Sequence, residues 1–156
     1  MKGAYEETID RLPMLRLPVS PRHEQICCRL HERVAAALGP SGAARLLPLR
    51  SRVALSAGTV LRPDLAVVMR ANGRLWLAAE VIEPGDHHAD TVAKKLVYEE
   101  QRIPRLWMVD PRYDNLEVYH ATTHGLMLKG ILTGRELLAE PALGDWSVRV
   151  ADLFAS

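Results

Sequence analysis

Several features that would classify a protein at once are scarce or missing in this sequence. Aromatic residues make up only 5% of its 156 residues, and there are two cysteines, Cys27 and Cys28. No stretch approaches the ~18 apolar residues that a membrane span needs, and residues 1–13 lack the apolar run of a signal peptide. We therefore expect a cytoplasmic protein with no membrane association. Its two thiols stay reduced, because neighbouring helical positions point in different directions and cannot bridge.

The chain also lacks an excess of charge of either sign. It has 20 Lys and Arg against 19 Asp and Glu, a formal net charge of +1. A dedicated duplex-binding module is usually far more basic, because the neutralisation of phosphates drives its affinity. Any binding of nucleic acid must therefore rely on a local basic patch, or on a bound cation that offsets the carboxylates.

Hydrophobic periodicity predicts an α/β fold in a chain long enough for one domain. Residues 1–19 are predicted to be an irregular lead-in. Ser20 and Pro21 are typical of an N-cap and first helical turn, and Gly39 ends that helix. A second helix is predicted over 89–102, and strands are predicted at 46–55, 60–68, 75–82, 105–110, 116–121, 126–132 and near 146–150. We expect residues 20–156 to form a single domain in which helices flank a mixed sheet.

Two carboxylates lie near the ends of the hairpin strands that flank Asn72-Gly73, a strong hairpin signal. With an odd-numbered loop, residues whose numbers sum to 144 face one another, which places Asp64 opposite Glu80 at roughly 5 Å between Cβ atoms. A strict two-residue turn would instead pair Asp64 with Val81 and send Glu80 to the other face. The prediction therefore needs a three-residue loop, a longer odd loop or a bulge. Two such carboxylates could hold one hard divalent cation.

The helix that follows Glu80 adds a third candidate. Asp90, Lys94 and Tyr98 are four residues apart, so they lie along one helical face. Lys94 could thus point toward the carboxylates, where a lysine can orient a metal-bound water or stabilise charge on a phosphate. The spacing by itself favours a plainer interpretation, an exposed pair of Asp90 and Lys94 worth a few tenths of a kcal/mol.

These residues resemble a known family. The segment EVIEPGDHHADTVAKKLVYEEQRIPRLWMVDP looks like a Glu-Val-Leu-Ser-Pro block, an Asp-x3-Lys-x3-Tyr helix and a Trp-x-Val-Asp-Pro strand. All three belong to the Uma-two family of putative restriction endonucleases, within the PD-(D/E)XK nuclease superfamily. Arg62-Pro63-Asp64 is similar to the family's Arg-Pro-Asp motif, and Ser20-Pro21-Arg22-His23 to its helix-opening motif. The similarity runs from about Pro18 to the C-terminus.

The resemblance implies a restriction-endonuclease-like core with Asp64 and Glu80 as ligands of Mg²⁺ or Mn²⁺. Nucleases of this superfamily usually have a lysine two residues after the metal-binding glutamate, but here that position, two residues after Glu80, is occupied by Ile82. The resemblance therefore implies Lys94, on the following helix, as the third catalytic residue. Supporting roles are implied for His23, Glu24, Asp90 and Tyr98. Glu24 suits a solvated helix position equally well. Glu83 replaces the family's serine before proline and adds a negative charge near the site.

Competing functions stay open at this point. The first is a metal-dependent DNA endonuclease that works as a homodimer, with a basic patch formed by Arg22, Arg50, Arg52, Arg62 and Lys95. The second is a catalytically inactive module that binds nucleic acid or protein and keeps the cluster as a buried ion-pair network. The third is a phosphohydrolase of small nucleotides. His87 and His88 suggest zinc, but adjacent histidines seldom face one metal, so structural or solvated roles are expected for them.

Overall fold

The structure, a computed structural model, describes residues 2–40, 42–86 and 89–156. Its strands and α-helices are, in chain order, β1 (Tyr5–Ile9), β2 (Leu12–Arg16), α1 (Pro21–Leu38), β3 (Ala44–Leu46), β4 (Val53–Ser56), β5 (Thr59–Leu61), β6 (Leu65–Met69), β7 (Leu75–Val81), α2 (Lys95–Glu100), β8 (Arg105–Asp110), β9 (Asn115–Thr122), β10 (Gly125–Thr133), β11 (Leu137–Leu138), β12 (Val148–Arg149) and α3 (Val150–Phe154). No helix among these described residues is long and apolar enough to cross a membrane.

A six-stranded mixed sheet forms the centre of the fold, in the order β10-β9-β8-β7-β6-β3. Its strands β7 and β8 are parallel and are joined through α2, while the other neighbours are antiparallel. The edge strand β10 carries one extra residue, Lys129, between its pairings to β9. The predicted α/β fold with a mixed sheet and flanking helices is confirmed.

The two faces of this sheet are covered by different elements. Helix α1 buries Ile26, Leu30 and Val34 against one face, together with α3. The other face packs against α2 through Tyr98 and against a four-stranded sheet, β2-β1-β5-β4, through Leu61. Because both faces are covered, the central strands β7 and β8 are almost entirely apolar, and a charged residue on them stands out.

A bulge in the β6–β7 hairpin sets the face on which Glu80 lies. Leu65 pairs with Ala79 and Val67 with Leu77, the register in which residue numbers sum to 144. Nearer the turn Val68 pairs with Leu75, so Trp76 is the extra residue of a bulge. The predicted register is therefore confirmed from Leu65 to Val67 and shifts by one residue at Val68, by way of the bulge rather than a longer loop.

The prediction of an irregular lead-in over residues 1–19 is wrong. Strands β1 and β2 form a hairpin, and Thr8 of β1 pairs with Val60 of β5. Asp10 and Arg11 make the two-residue turn with φ angles of 50° and 68°. Turns of this primed type usually contain Asn-Gly. This one has no glycine, so no strong hairpin signal marks it in the sequence.

Three further elements differ from the predicted ones. The runs 46–55 and 60–68 are not single strands, because each contains a proline, Pro48 or Pro63, which cannot donate to a strand ladder. Each run is divided between the two larger sheets. The predicted regular helix over 89–102 is π-helical over Ala89–Lys94 before α2 begins.

Candidate active site

The residues of interest converge where β6 begins and β7 ends. Pro63 lies in the short break between β5 and β6, and Asp64 follows it directly before the first residue of β6. Glu80 is the penultimate residue of β7, and Lys94 is the last residue of the π-helical segment. The side chains of Asp64 and Glu80 are 5% and 1% exposed and that of Lys94 is 0% exposed. Three charged groups are therefore held inside the protein, which requires that each be paired.

Glu80 is held by two donors from the same helical face. Lys94 Nζ lies 2.7 Å from its carboxylate, and the Tyr98 hydroxyl donates to Oε1 at 2.7 Å. Burial, followed by the carboxylates of Glu80, Glu7 and Asp64, raises the pKa of Tyr98 well above its usual value. Tyr98 thus stays a neutral hydrogen-bond donor, and the four-residue spacing from Lys94 brings both donors to one carboxylate.

Glu7, on the N-terminal hairpin, is a member of the cluster that the sequence analysis missed. Its Oε2 lies 2.8 Å from Lys94 Nζ and accepts the backbone N–H of Arg62 at 2.7 Å. Its Oε1 accepts a hydrogen bond of 2.6 Å from Arg16 Nη1. The side chains of Glu7 and Arg16 are 0% and 4% exposed. On a strand, Glu7 shares a face with Tyr5 and Ile9, so a strand predicted over these residues would have placed Glu7 among apolar side chains.

Asp64 accepts hydrogen bonds from three different elements. Oδ2 accepts the Val81 N–H at 2.8 Å, while Oδ1 lies 3.1 Å from both His23 Nε2 and Arg50 Nη1. Burial opposes the charge on this carboxyl group. The hydrogen bond and charge of His23, the charge of Lys94 and the Val81 N–H outweigh it and lower the pKa of Asp64 to about 2. Asp64 is therefore ionised at any physiological pH.

His23 lies between two carboxylates at the start of α1. The Ser20 hydroxyl caps the helix by accepting the His23 N–H, which fixes the histidine's position. Its Nδ1 lies 3.1 Å from Glu83 Oε2, which also accepts the Ser20 N–H. Burial lowers the pKa of His23, but the hydrogen bond and charge of Asp64 and the charge of Glu83 raise it overall. Glu83 therefore anchors the helix start and its histidine.

The remaining predicted residues lie at the rim or outside the described part of the chain. Glu24 is partly exposed and pairs with Arg50, so it reaches Asp64 only through that arginine. Arg50 is thus committed to carboxylates rather than presented to solvent, and Lys95 Nζ lies 4.3 Å from the ring centroid of Tyr119. The side chain of Asp90 and residues 87–88, with their two histidines, lie outside the described residues.

Two sets of side chains could hold a metal ion. The ligand atoms of His23, Cys27 and Asp64 lie within 4.8 Å of one another. Burial, followed by the charge of Asp64, raises the pKa of the Cys27 thiol and outweighs the opposite effect of the Arg50 guanidinium beside its sulfur. The thiolate that zinc needs is therefore disfavoured there. Asp64 and Glu80 supply the oxygen donors that suit Mg²⁺ or Mn²⁺. A carboxylate has roughly four lone-pair positions, so three hydrogen bonds leave Asp64 room for one such ion.

Comparisons with known proteins identify the fold and the family. The solved structures include a putative nuclease of the DUF820 group from Anabaena variabilis, which superposes with a TM-score of 0.78. It is 16% identical to this protein, and the match covers 96% of this chain and 89% of that one. No curated protein matches the chain. The sequence model of the Uma2 family, described as putative restriction endonucleases, matches residues 14–151. Since that match spans most of its length, the chain belongs to the Uma2 family.

Proposed function

We propose that this protein is a metal-dependent endonuclease that hydrolyses phosphodiester bonds in DNA. The observation that carries the proposal is the contact of Lys94 with Glu80 beside Asp64, which assembles two carboxylates and an ammonium group in one buried cluster. Membership of the Uma2 family and the nuclease-like fold support it. The sequence has neither a Gly-rich phosphate-binding loop nor the G-x-S-x-G motif of serine hydrolases.

Each residue has a chemical task in this proposal. Asp64 and Glu80 would hold Mg²⁺ or Mn²⁺, which when bound polarises a phosphate and makes a water more acidic. Lys94 orients the attacking water or stabilises negative charge on the phosphate. Tyr98 fixes the orientation of Glu80, and His23 does the same for Asp64. Positioning of this kind matters because small displacements of reacting groups are costly in rate.

One observation favours the catalytically inactive module as a second candidate. The cluster contains its own cations: Arg50 pairs with Asp64, Arg16 pairs with Glu7, and Lys94 pairs with both Glu7 and Glu80. Such a network can persist without a metal and without catalysis. This candidate predicts that Mn²⁺ binding, if present, does not depend on Asp64.

A cleavage assay tests the first candidate. Plasmid and oligonucleotide DNA are incubated with Mg²⁺ or Mn²⁺ and with wild type, Lys94→Ala or Glu80→Gln. Loss of a group that stabilises developing charge lowers the rate by about 10²–10³. Lys95→Ala is the matched control for the chemical step. Its side chain packs on Tyr119 rather than on the carboxylates, so any contribution to the predicted basic patch changes the DNA concentration needed, and the cleavage rate at saturating DNA should be unchanged. Unchanged cleavage by folded Lys94→Ala would contradict the assignment.

Calorimetry separates the two candidates without relying on turnover. Mn²⁺ is titrated into wild type and into Asp64→Asn, which keeps the shape of the side chain and removes its charge. A binding site that disappears in the variant excludes the inactive ion-pair network.

A nuclease that cuts both strands usually works as a two-fold dimer. We therefore extend the proposal to a homodimer, which light scattering would detect as twice the mass of the chain.

A further inference from the structure

The carboxylate of Glu7 occupies a position built for an oxyanion. Its Oε2 accepts from Lys94 Nζ at 2.8 Å and from the backbone N–H of Arg62 at 2.7 Å. Neither donor belongs to the hairpin that carries Glu7. An ammonium group and a backbone N–H directed at one oxygen form the same arrangement that binds phosphate oxygens in proteins.

We propose that Lys94 Nζ and the Arg62 N–H form a binding site for a phosphate oxygen of the nucleic acid, and that Glu7 fills it while the hairpin β1–β2 is docked. This inference rests on the proposed nuclease function and adds a closed state to it. Lys94 has no exposed surface in the described structure, so a phosphate reaches it only after the hairpin moves away.

The hairpin is attached in a way that suits such a movement. A single residue pair, Thr8 with Val60, joins β1 to β5. Two hydrogen bonds near the turn add to this attachment: the Asp10 N–H donates to the Thr59 hydroxyl, and the Arg11 N–H donates to the Gly58 carbonyl. Because a short strand pairing opens at low cost, side-chain contacts contribute to the anchoring, namely the buried contacts of Glu7 and the packing of Ile9 against the core.

Charge remains balanced when the hairpin leaves. Arg16 lies on the same hairpin and contacts Glu7 at 2.6 Å, so the departing carboxylate takes a cation with it. Lys94 keeps its contact with Glu80. A phosphate oxygen that enters then meets the two donors that Glu7 has released. Substrate and hairpin therefore compete for one site, and the more strongly bound anion determines which state is populated.

Access to Lys94 is the first measurement. Lysines are acetylated with N-hydroxysuccinimide acetate for short times, and the modified peptides are counted by mass spectrometry, with Lys95 as the internal reference. Loss of a charge-assisted hydrogen bond in Glu7→Gln should raise the relative rate at Lys94 by about tenfold or more. Glu6→Gln is the control, because Glu6 is exposed on the opposite face of the same strand and should leave the rate unchanged.

A reversible lock is the second measurement and keeps Glu7 in place. Thr8→Cys and Val60→Cys, in a Cys28→Ser background, put two thiols on facing residues of an antiparallel pair, within reach of a disulfide. Oxidation should suppress both the acetylation of Lys94 and the cleavage of DNA, and reduction should restore both.

The outcomes separate this inference from the function on which it rests. If Lys94 is acetylated equally in wild type and folded Glu7→Gln, or equally in the locked and reduced proteins, the closed state is wrong whatever the cleavage assay gives. If Lys94 responds as expected but no form of the protein cleaves DNA, the hairpin still governs access to the site and the nuclease function fails. Equal cleavage by the locked and reduced proteins would also overturn the inference.

Discussion

Replacing Lys94 by methionine removes a buried charge while keeping a long apolar side chain. Its Nζ lies 2.8 Å from Glu7 and 2.7 Å from Glu80, with no exposed surface on the lysine. Without the ammonium group two buried carboxylates lie near one another in a site from which water is excluded. Breaking a buried ion pair by removing one partner costs about 3–5 kcal/mol. We expect the free energy of unfolding of Lys94→Met to fall by that amount at neutral pH.

Urea denaturation followed by tryptophan fluorescence measures this loss, since the buried Trp107 reports on the core. Lys95→Met is the matched control, and its half-exposed side chain should change stability by less than about 1 kcal/mol. Adding Glu7→Gln to Lys94→Met removes the negative charge of one of the two carboxylates that contacted Lys94. The double variant should therefore be more stable than the sum of the single effects by about 0.5–3 kcal/mol. A cost near zero for Lys94→Met, or strict additivity with Glu7→Gln, would refute the pairing.

Two other predictions concern titration and thiol chemistry. The pKa of Asp64 is lowered from 3.8 to about 2, so its contribution to stability, about 2 kcal/mol, is present above pH 3.8 and is lost as the pH falls through 2. The pKa of His23 is raised above 6.5, so its contribution is present below pH 6.5 and is lost as the pH rises through the higher folded value. Urea midpoints measured against pH should flatten at the acid end in Asp64→Asn and at the basic end in His23→Gln. With Ellman's reagent, exposed Cys28 should react in the native protein and buried Cys27 only after unfolding; two fast thiols would contradict the burial.

The β6–β7 hairpin could be predicted from the sequence because its signals lie in residues that are close along the chain. The apolar runs 60–68 and 75–82, with Asn72-Gly73 between them, predict two paired strands, and a register that places Asp64 opposite Glu80 requires an odd-numbered loop or a bulge. Trp76 supplies that bulge. The spacing of Lys94 and Tyr98 likewise brings both side chains to Glu80 even though the preceding segment is π-helical. Residue spacing predicts which face of a strand or helix a side chain lies on. For Glu80, Lys94 and Tyr98 that was sufficient to predict that they lie close together.

The N-terminal half of the cluster depends on contacts that are distant in sequence. Glu7 meets Lys94 and Arg62 only because the hairpin packs against β5, and its turn at Asp10-Arg11 lacks the glycine that would have marked it. From the sequence, Arg50 was also predicted to belong to a basic patch on the surface. Its commitment to Asp64 follows from the path of the loop between β3 and β4, which no periodicity in the sequence describes.

The extra residue in β10 bears on how the protein behaves at high concentration. This outer strand carries three half-exposed apolar side chains, Met127, Leu128 and Ile131, and one side of its backbone has no strand neighbour in the described sheet. Such an edge is a template on which a second molecule can add a strand and begin a fibril. Lys129 interrupts the ladder at the middle of that edge and places a charge there, so an incoming strand meets a kink and, in an identical molecule, a like charge. We therefore expect this one lysine to act as a gatekeeper against aggregation.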